Sequence, residues 1–455
     1  MSLWTSAEIA SATGGTASEA FEVAGVAFDS REVGPGDLFV AMQGEATDGH
    51  RFLEGAFAQG ASGAIASRDC DGPHVRVPDS FAALEALGRA ARDRTGAQVV
   101  GITGSVGKTS AKEALFAALE RSNGGRAHRS VKSYNNHTGV PLSLSRTPRD
   151  AAFGVYEMGM NHAGEIAALT RMVRPHVAVI TAIAPAHIEF FESEAGIADA
   201  KGEVFEGLEP GGTAVVPFDT PHRERLLGHA RRHTDRVVTF GLEKGADVFA
   251  REAMRLPSGG TFVTAALGGG RELSFTVAQP GRHWVSNALA VLAAVDALGA
   301  DLGQAGLALA EMGGLPGRGA RVTVPAEGGE ALVIDESYNA NTASMRASLA
   351  VLAQEGGRKL ALLGEMRELG ERSAALHAEL AEPVIAARVE AALLVGEAME
   401  PLARALAGRI GLVHVPDAAA ALEAARGMIR PGDAVLVKGS NGVGLSRVVA
   451  GLAGD

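Results

Sequence analysis

The sequence predicts an α/β protein of three domains: a small α/β domain, a central domain with a mostly parallel sheet, and a Rossmann-like carboxyl-terminal domain. A chain of 455 residues is long enough for about three domains of typical size. In two long regions, short apolar runs alternate with helical patterns, as in parallel sheets covered by helices on both faces. The Gly/Pro-rich stretch at residues 313–324 separates these regions and indicates a hinge.

The first domain is assigned to residues 1–83. Its stretch GVAFDSREVGPGDLFVAMQG alternates apolar residues with Gly-Pro-Gly-Asp punctuation, which is typical of short strands and turns. The apolar spacing of residues 81–94 predicts a helix that leads out of this domain. We place the central domain at residues 84–316 and the last domain at residues 317–455.

The central domain opens with a predicted strand at residues 98–103, a loop, and a helix from about residue 109 to 121. Further strands are expected in AAFGVYEMG, HVAVITAIA and GTAVVPF, with helical patterns between them. Residues 237–277 combine strand patterns with Gly-rich turns and predict a small antiparallel appendage. The run HWVSNALAVLAAVDALGA then predicts a well-packed helix.

The last domain repeats the alternation of strands and helices. Its strands are predicted at residues 331–335, 359–363, 391–395, 411–415 and 433–437. The first of these strands is not followed by a clear G-x-G-x-x-G fingerprint, so we predict no dinucleotide site there.

Composition limits the possible partners. The net charge is −11, and a chain this acidic is not expected to coat nucleic acid. The basic run at residues 222–233 has helical spacing and is interpreted as a solvated helix face. One cysteine, Cys70, excludes an internal disulfide framework and favours a reducing compartment. The sequence has no pattern typical of a secretory signal or a membrane span, so we predict a cytoplasmic protein. We also expect a monomer.

The stretch VVGITGSVGKTS, residues 99–110, has the character of a phosphate-binding loop, although Ile102 stands where the common P-loop spacing has glycine. Backbone N–H groups of such a loop form an anion nest, and the following helix adds its partial positive charge. The alternative is a glycine-rich turn with an incidental lysine. The predicted ATP-phosphate ligands are Gly104, Ser105, Val106, Gly107, Lys108, Thr109 and Ser110.

TGSVGKTS resembles the T-G-[ST]-x-G-K-[ST] loop of the Mur ligases, which build the peptidoglycan stem peptide. Other stretches resemble the same family in the same order, among them DSREVGPGDLFVA, NNHTGVP, YEMGMNHAGEI, APAHIEFF, ADAKGEVF, GLPGRGAR and VIDESYNANTASM. The resemblance covers essentially the whole chain. It implies an amino-terminal UDP-sugar domain, a central ATP domain, a carboxyl-terminal ligase domain, and a role in cell-wall synthesis, cell shape and division.

Within the family, DESYNANTASM and LLGEMRELGERS resemble the ligase that adds D-alanyl-D-alanine to UDP-N-acetylmuramoyl-tripeptide. These two molecules are therefore the expected substrates. Three alternatives remain: another ligase of the superfamily, either MurE or a folylpolyglutamate synthase; a P-loop NTPase without ligase activity; and an inactive nucleotide-binding protein.

The implied chemistry explains the residue types. ATP converts a carboxylate into an acyl phosphate, which the incoming amine attacks. Two anions must approach each other, and at about 4 Å they repel by roughly 4 kcal/mol at an effective dielectric of 20. Lys108 and Mg²⁺ supply the cations that offset this repulsion.

The resemblance implies two Mg²⁺ ions. Thr109 and Glu157 are candidates for the first, although Glu157 could also be a surface carboxylate. His187 would bind the second. By itself, a histidine in an apolar run is more often a core residue, and only the resemblance favours the metal-binding role. Lys201 matches the family lysine that CO₂ converts to a carbamate, and without the resemblance we would interpret it as an exposed helix lysine. Lys108, His187, Lys201 and Arg318 are the predicted catalytic residues.

On the nucleotide side, the resemblance implies that Asn287 contacts adenine and that Arg318 reaches the γ-phosphate once the last domain closes. Asp335 is expected at the ribose or at a water-bound metal, with Tyr338 and Asn341 in the same loop. The alternative for Asn341 is a purely structural role as a helix N-cap.

For the UDP-sugar substrate, Ser30 and Arg31 are the main candidates, followed by Asp48, Gly49 and His50. Arg31 can pair with a pyrophosphate or stabilise a turn. Further candidates for sugar or peptide contacts, or for the neighbourhood of the metals, are Asn135, Asn136, Thr138, Asn161 and His162.

Overall fold

The computed structural model of the chain describes residues 2–44, 47–257 and 259–454. Within these ranges the strands form a two-stranded ribbon and sheets of five, nine and six strands. The three larger sheets occupy successive parts of the chain, so the predicted α/β architecture in three parts is confirmed. Across the same ranges, every helix falls short of the length and apolar character that crossing a bilayer requires.

The first part of the chain holds the five-stranded sheet, in the order β2-β7-β6-β5-β4, with β4 to β7 parallel. The strands are β1 Trp4–Thr5, β2 Thr16–Ala17, β3 Glu22–Val23, β4 Gly25–Ala27, β5 Asp37–Val40, β6 Gly63–Ala66 and β7 His74–Arg76. The helices are α1 Ser6–Thr13, α2 Leu53–Ala58 and α3 Ser80–Arg94.

Helix α3 belongs to the core of this first part. Asp79 caps it by accepting hydrogen bonds from the N–H groups of Phe81 and Ala82. Its Leu84 and Leu87 are fully buried in the same apolar cluster as Val40 of the sheet. The expected domain boundary after residue 83 falls within this helix, and we propose that the division lies just after Arg94.

The described residues of the second part form the nine-stranded sheet and seven α-helices. Its strands are β8 Gln98–Thr103, β9 Ala127–Arg129, β10 Phe153–Glu157, β11 Val177–Ile180, β12 Thr213–Pro217, β13 Arg236–Gly241, β14 Val248–Arg255, β15 Thr261–Leu267 and β16 Arg271–Val277. Its helices are α4 Lys108–Ser122, α5 Gly139–Ser145, α6 Glu165–Val173, α7 Glu194–Gly202, α8 Arg223–Ala230, α9 Arg282–Ala297 and α10 Leu302–Glu311. The predicted strand, loop and helix at residues 98–121 are confirmed.

The strand order is β16-β15-β14-β13-β12-β11-β8-β10-β9, and the strands from β9 to β14 pair in parallel. The predicted antiparallel strands are present as β14, β15 and β16, but they are not a separate appendage. Because β14 pairs with β13, they continue the central sheet at one edge. Buried Val100 and Ile102 of β8 pack with Leu115 of α4 and Leu289 of α9 on one face.

The third part holds the six-stranded sheet, in the order β17-β18-β22-β19-β20-β21, parallel except for β17. Its strands are β17 Ala320–Ala326, β18 Gly329–Glu336, β19 Lys359–Gly364, β20 Ala391–Val395, β21 Gly411–Val415 and β22 Ala434–Lys438. Its helices are α11 Thr342–Leu352, α12 Ser373–Ala378, α13 Ala381–Ala386, α14 Glu400–Leu406, α15 Ala418–Met428 and α16 Leu445–Ala453.

All five strands predicted for this part are confirmed, whereas the predicted hinge at residues 313–324 is too long. Strand β17 begins at Ala320, because ARVTVPA alternates polar and apolar residues and pairs along its whole length with β18. The connection therefore ends at Gly319, whose φ of +88° favours glycine.

Candidate active site

A cleft of about 670 Å³ lies between the central sheet and the carboxyl-terminal sheet. Its walls come from the loop between β8 and α4, the loops after β9, β10 and β11, the first turn of α9, the hinge, the segment after β18, and the end of β22. The carboxyl ends of β8, β10, β11, β18 and β22 therefore meet at one place, where α/β sheets commonly bind ligands.

The loop between β8 and α4 has the backbone conformation of a phosphate cradle. Gly104 has φ of +148°, and a Cβ there would lie 2.0 Å from the Thr181 hydroxyl oxygen. Gly107 has φ of +86°, and its Cβ would lie 2.6 Å from Oδ1 of Asn287. The buried Ser105 hydroxyl has no hydrogen-bond partner among the described residues, which leaves it available to an anion.

The other residues of this stretch are held by the neighbouring elements of the central domain. Thr181 donates a 2.6 Å hydrogen bond to the carbonyl of Val106, and Ser110 follows in the first turn of α4 and lines the cleft. Ile102 is 1% exposed within β8, so this position belongs to the sheet core and not to the loop. The loop is consequently shorter than in the common P-loop spacing.

Lys108 begins α4 and bends back over the loop, where its ammonium donates a 2.7 Å hydrogen bond to the carbonyl of Gly104. Burial lowers the pKa of Lys108; the carboxylate of Glu157 opposes this shift, and Arg318 reinforces it. Lys108 of the central domain and Arg318 of the carboxyl-terminal domain thus both place positive charge in the cleft.

Thr109 and Glu157 form the centre of the site. The Thr109 hydroxyl donates a 2.9 Å hydrogen bond to Oε2 of Glu157, and the Asn135 amide donates one of 2.8 Å to Oε1. Glu157 is 1% exposed at the end of β10, directly beside Ile102 of β8. Buried Lys112 adds a positive charge 3.9 Å from Oε2 of Glu157.

This group of oxygens fits Mg²⁺, which prefers carboxylate and hydroxyl oxygens and keeps several waters or phosphate oxygens. The described residues contain no cluster of three or more His, Cys, Asp or Glu side chains able to hold a metal ion by themselves. A metal at Thr109 and Glu157 would therefore need ligands from a nucleotide and from water.

His187 lies at the cleft in a left-handed conformation, with φ of +58°. Its Nδ1 is 2.5 Å from Oε2 of Glu368 in the carboxyl-terminal part. Burial lowers the pKa of His187, and the positive charges of Lys108 and Lys201 lower it further. The carboxylate of Glu368 opposes this shift by raising the pKa. The ring therefore combines a carboxylate neighbour with a tendency to remain neutral, which a metal ligand requires.

Lys201 lies in the last turn of α7 and is 1% exposed, so it is not an exposed helix lysine. Burial lowers its pKa well below the ordinary value, and the charge of Lys108 adds to this effect. Its side chain does not line the cleft. A lowered pKa favours the neutral amine, which is the form of lysine that reacts with CO₂.

The residues predicted for the nucleotide side gather around the hinge. The Arg318 guanidinium lies 4.1 Å from the centre of the Tyr338 ring, and its Nη2 donates a 3.3 Å hydrogen bond to the Ser133 hydroxyl. Asn287 lines the cleft opposite Gly107. Asn341 also lines the cleft and caps α11, with its Oδ1 accepting a hydrogen bond from the N–H of Ser344.

Asp335 does not line the cleft. Its carboxylate accepts hydrogen bonds from the N–H of Gly317, at 2.7 Å, and from the hydroxyl of Ser337, at 2.6 Å. It therefore fastens the hinge to β18, and its expected ribose contact stays a prediction. Glu336 lies on the opposite face of the strand and does line the cleft.

The residues predicted for the UDP-sugar are elsewhere, in the first part of the chain. Arg31 is exposed and forms two side-chain hydrogen bonds with Asp29, next to Ser30 in a short 3₁₀ turn. Asp48 and His50 bind each other, with Oδ1 of Asp48 2.7 Å from Nδ1 of His50.

His50 and its neighbours make further contacts within the first part of the chain, and their expected contacts with the UDP-sugar stay predictions. Nε2 of His50 accepts a 3.0 Å hydrogen bond from the N–H of Ser67, so both ring nitrogens are occupied. Hydrogen bonds from His50 lower the pKa of Asp48 to about 2. Gly49 lies against the backbone of Met42, where a Cβ would be 2.6 Å from the carbonyl oxygen.

The other substrate candidates are divided. Asn136 lines the cleft and accepts hydrogen bonds from the N–H groups of Thr138 and Gly139, whereas Thr138 itself does not line it. Asn161 and His162 lie on the exposed rim, where both are held by Glu165: the Asn161 N–H at 2.8 Å and Nδ1 of His162 at 3.1 Å.

Several cleft residues were not predicted. Lys438 is 2% exposed at the end of β22; its ammonium donates a 2.9 Å hydrogen bond to the carbonyl of Asn339 and lies 3.6 Å from Glu336. It stands at the carboxyl end of a predicted parallel strand, the same position that indicated Glu157, so that rule applied to β22 would have found it. Other cleft residues that were not predicted include Ser133, His283, Trp284 and Glu336. Lys112, also not predicted, lies outside the cleft lining but close to Glu157.

Three family models match successive parts of the chain. The model described as "Mur ligase family, catalytic domain" matches residues 22–92, "Mur ligase middle domain" matches 102–295, and "Mur ligase, glutamate ligase domain" matches 320–441. The protein belongs to the Mur ligase family.

Named relatives resemble this Mur ligase over nearly its whole length. The UDP-N-acetylmuramoyl-tripeptide--D-alanyl-D-alanine ligase of Escherichia coli (strain K12) is 35% identical over 432 residues, covering 94% of this chain and 93% of the relative. The enzyme of the same name from Bacillus subtilis (strain 168) is 31% identical, with the same coverages of 94% and 93%.

Solved structures agree with the sequence comparison. MurF from Acinetobacter baumannii superimposes with a TM-score of 0.85 and 31% identity, covering 99% of both chains. MurF ligase from Thermotoga maritima, solved in complex with ADP, superimposes with a TM-score of 0.77 and 27% identity, covering 94% of this Mur ligase and 97% of that chain.

Proposed function

We propose that this Mur ligase uses ATP to join D-alanyl-D-alanine to UDP-N-acetylmuramoyl-tripeptide during peptidoglycan synthesis. The observation that carries the proposal is the convergence of the phosphate cradle, the Thr109–Glu157 pair and Arg318 in one cleft between two domains. The names and near-complete coverage of the relatives support the choice of substrates.

In this proposal ATP lies with its phosphates on the loop from Gly104 to Ser110 and its adenine towards Asn287. Mg²⁺ at Thr109 and Glu157, with a second ion at His187, would supply positive charge to the nucleotide phosphates. Lys108 and Arg318 contribute the fixed positive charges of the protein. Together these cations offset the repulsion between the substrate carboxylate and the γ-phosphate.

We further propose that Lys201 is carbamylated. The modification fits its surroundings, because an ammonium at this buried position would be destabilised by burial and by the charge of Lys108. A carbamate carries the opposite charge, so Lys201, which interacts electrostatically with Lys108 and His187, would then support the metal region instead of repelling the ions.

The three domains divide the remaining work. The amino-terminal domain would bind the UDP group near Ser30 and Arg31, and the carboxyl-terminal domain would bind the dipeptide. The reaction would take place in the cytoplasm. The single cysteine, the half-buried Cys70, is compatible with this reducing compartment. Because the cleft has walls from two domains, closure would exclude water from the acyl phosphate.

The deciding experiment measures phosphate release from ATP with UDP-N-acetylmuramoyl-tripeptide and D-alanyl-D-alanine offered separately and together. The ligase releases phosphate only with both, and mass spectrometry detects the corresponding pentapeptide. Lys108→Ala should lower the rate by about a thousandfold, since a preorganised charge at the transferred phosphoryl group is lost. Phosphate release with ATP alone would instead indicate a P-loop NTPase.

Domain closure has a separate test. Small-angle X-ray scattering of the full chain should change when a non-hydrolysable ATP analogue and the UDP-tripeptide are both added. Superimposable scattering curves with and without these ligands would contradict the closure while leaving the ligase assignment to the phosphate-release experiment.

A further inference from the structure

Three consecutive residues of the central domain, Lys132, Ser133 and Tyr134, contact all three domains, and we name them the bridge segment. Two of them bind Glu32 of the amino-terminal domain. The Lys132 ammonium pairs with its carboxylate, and the Tyr134 hydroxyl donates a 2.8 Å hydrogen bond to its Oε1. The ring of Phe28 lies 5.4 Å from that of Tyr134 and adds an apolar contact between the same two domains.

The middle residue of the bridge segment faces the other way, into the cleft. The Ser133 oxygen accepts a hydrogen bond from Nη2 of Arg318 at 3.3 Å and lies 3.4 Å from the Thr109 hydroxyl. Since the Thr109 proton is donated to Glu157, Ser133 donates to Thr109. A directional chain therefore runs from Arg318 through Ser133 and Thr109 to Glu157, and such chains strengthen their members.

The bridge segment is anchored from beneath by Lys112, which is fully buried in α4. Its ammonium donates hydrogen bonds to the carbonyl of Ser130, at 3.3 Å, and to the carbonyl of Lys132. Lys132 itself has φ of +47°, a conformation that a non-glycine residue keeps only when its surroundings impose it. The backbone of the segment is thus tied to the helix that starts at the phosphate loop.

We propose that the bridge segment couples the docking of the amino-terminal domain to the position of Arg318 at the phosphate loop, with Ser133 as the positioning residue. Ser133 and Tyr134 share one short backbone, so a displacement of Glu32 moves the Ser133 hydroxyl with it. Binding in the amino-terminal domain then adjusts how firmly Arg318 holds the terminal phosphate of the nucleotide. The identities of the two ligands rest on the proposed function.

The test is a double-mutant cycle on the affinity of the full chain for a non-hydrolysable ATP analogue, measured by calorimetry. Ser133→Ala and Glu32→Ala should each weaken binding about fivefold, the change expected for one lost hydrogen bond. The double variant should bind no more weakly than the weaker single variant, because both changes interrupt one connection.

Two controls separate the proposal from general damage. Ser133→Thr keeps the hydroxyl and should restore most of the affinity, and the losses should be smaller for ADP, which lacks the phosphate that Arg318 is proposed to contact. Arg149→Ala removes another ion pair between the same two domains, Arg149 with Glu8 at 2.5 Å, without touching the bridge segment. It should bind the analogue like the wild type.

The proposal is overturned if the losses in the cycle are additive, if Glu32→Ala binds the analogue like the wild type, or if Arg149→Ala is equally impaired. These results concern nucleotide affinity alone. The proposed ligase function fails on a different observation, the absence of dipeptide-dependent phosphate release in the wild type, so the two failures are distinguishable.

Discussion

Nδ1 of His187 lies 2.5 Å from Oε2 of Glu368, which connects the central domain to the carboxyl-terminal domain beside the cleft. The contact is an ion-pair approach and not an aligned hydrogen bond, because Nδ1 has no hydrogen-bond partner among the described residues. A carboxylate this close to Nδ1 still favours the tautomer with the proton on that nitrogen and leaves the lone pair of Nε2 free. Histidines that bind metals commonly have such a carboxylate partner, which orients the ring. Glu368 is therefore a positioning residue for His187 in the proposed function.

This pairing predicts that Glu368→Ala raises the Mg²⁺ concentration needed for half-maximal phosphate release by about tenfold, because the ring loses its orienting partner. A Mg²⁺ titration of the substrate-dependent activity measures the change. The control is Glu371→Ala, which removes an exposed carboxylate from the same loop and should leave the titration unchanged. Identical titrations for Glu368→Ala and the wild type would contradict the role.

The phosphate loop predicts a strong effect of adding one methyl group at Gly104. Its Cβ would lie 2.0 Å from the Thr181 hydroxyl, at a φ of +148° that other residues rarely adopt. Gly104→Ala should therefore weaken binding of the ATP analogue at least about a hundredfold by displacing the loop. Calorimetry checks this, with Gly96→Ala as the control because its Cβ would meet no atom within 4 Å.

Lys201 predicts a dependence on dissolved CO₂. Depleting CO₂ and bicarbonate from the assay should lower the wild-type activity, and Lys201→Ala should lose at least about a hundredfold, the scale of one lost electrostatic contributor. A short carboxylic acid added to the variant should restore part of the rate by replacing the carbamate oxygens. Full activity of Lys201→Ala without any added acid would show that the side chain does not support the metal.

The burial of His377 leads us to expect that the protein loses stability in mild acid. The ring is fully buried: Nε2 accepts a 2.9 Å hydrogen bond from the N–H of Met366, and Nδ1 lies 2.8 Å from the carbonyl of Ser373, so the ring is neutral. Burial lowers its pKa, so below the unfolded pKa of about 6.5 the unfolded state binds the extra proton. Stability is present above that pH and falls by up to about 1.4 kcal/mol per pH unit as the solution is acidified.

Urea unfolding followed from about pH 7.5 to about pH 5.5 measures this slope. His377→Gln does not titrate and should show a shallower dependence, even if it is less stable at every pH. The exposed His233→Gln should keep the wild-type slope. A wild-type slope in His377→Gln would assign the acid sensitivity to other groups.

Much of the fold and part of the site followed from short-range patterns. The strand, loop and helix at residues 98–122 depend on a local apolar run, glycines and a helix start, so neighbouring residues suffice to predict them. The cap of α11 by Asn341 is equally local. Five of the six described strands of the last domain were found for the same reason, because each is an apolar run bounded by turn residues, whereas β17 was taken for part of the hinge.

What only the tertiary structure decided is which side chains meet. Thr109, Glu157 and Ser133 come from separate segments, and sheet order brings them together at one edge. Strand register decided that Glu336 faces the cleft while Asp335 fastens the hinge, because successive side chains point to opposite faces. Sequence alone determined the elements and the loop, since these depend on local backbone preferences; burial of Lys201 and the contacts of Ser133 depend on packing between distant segments, which spacing along the chain does not encode.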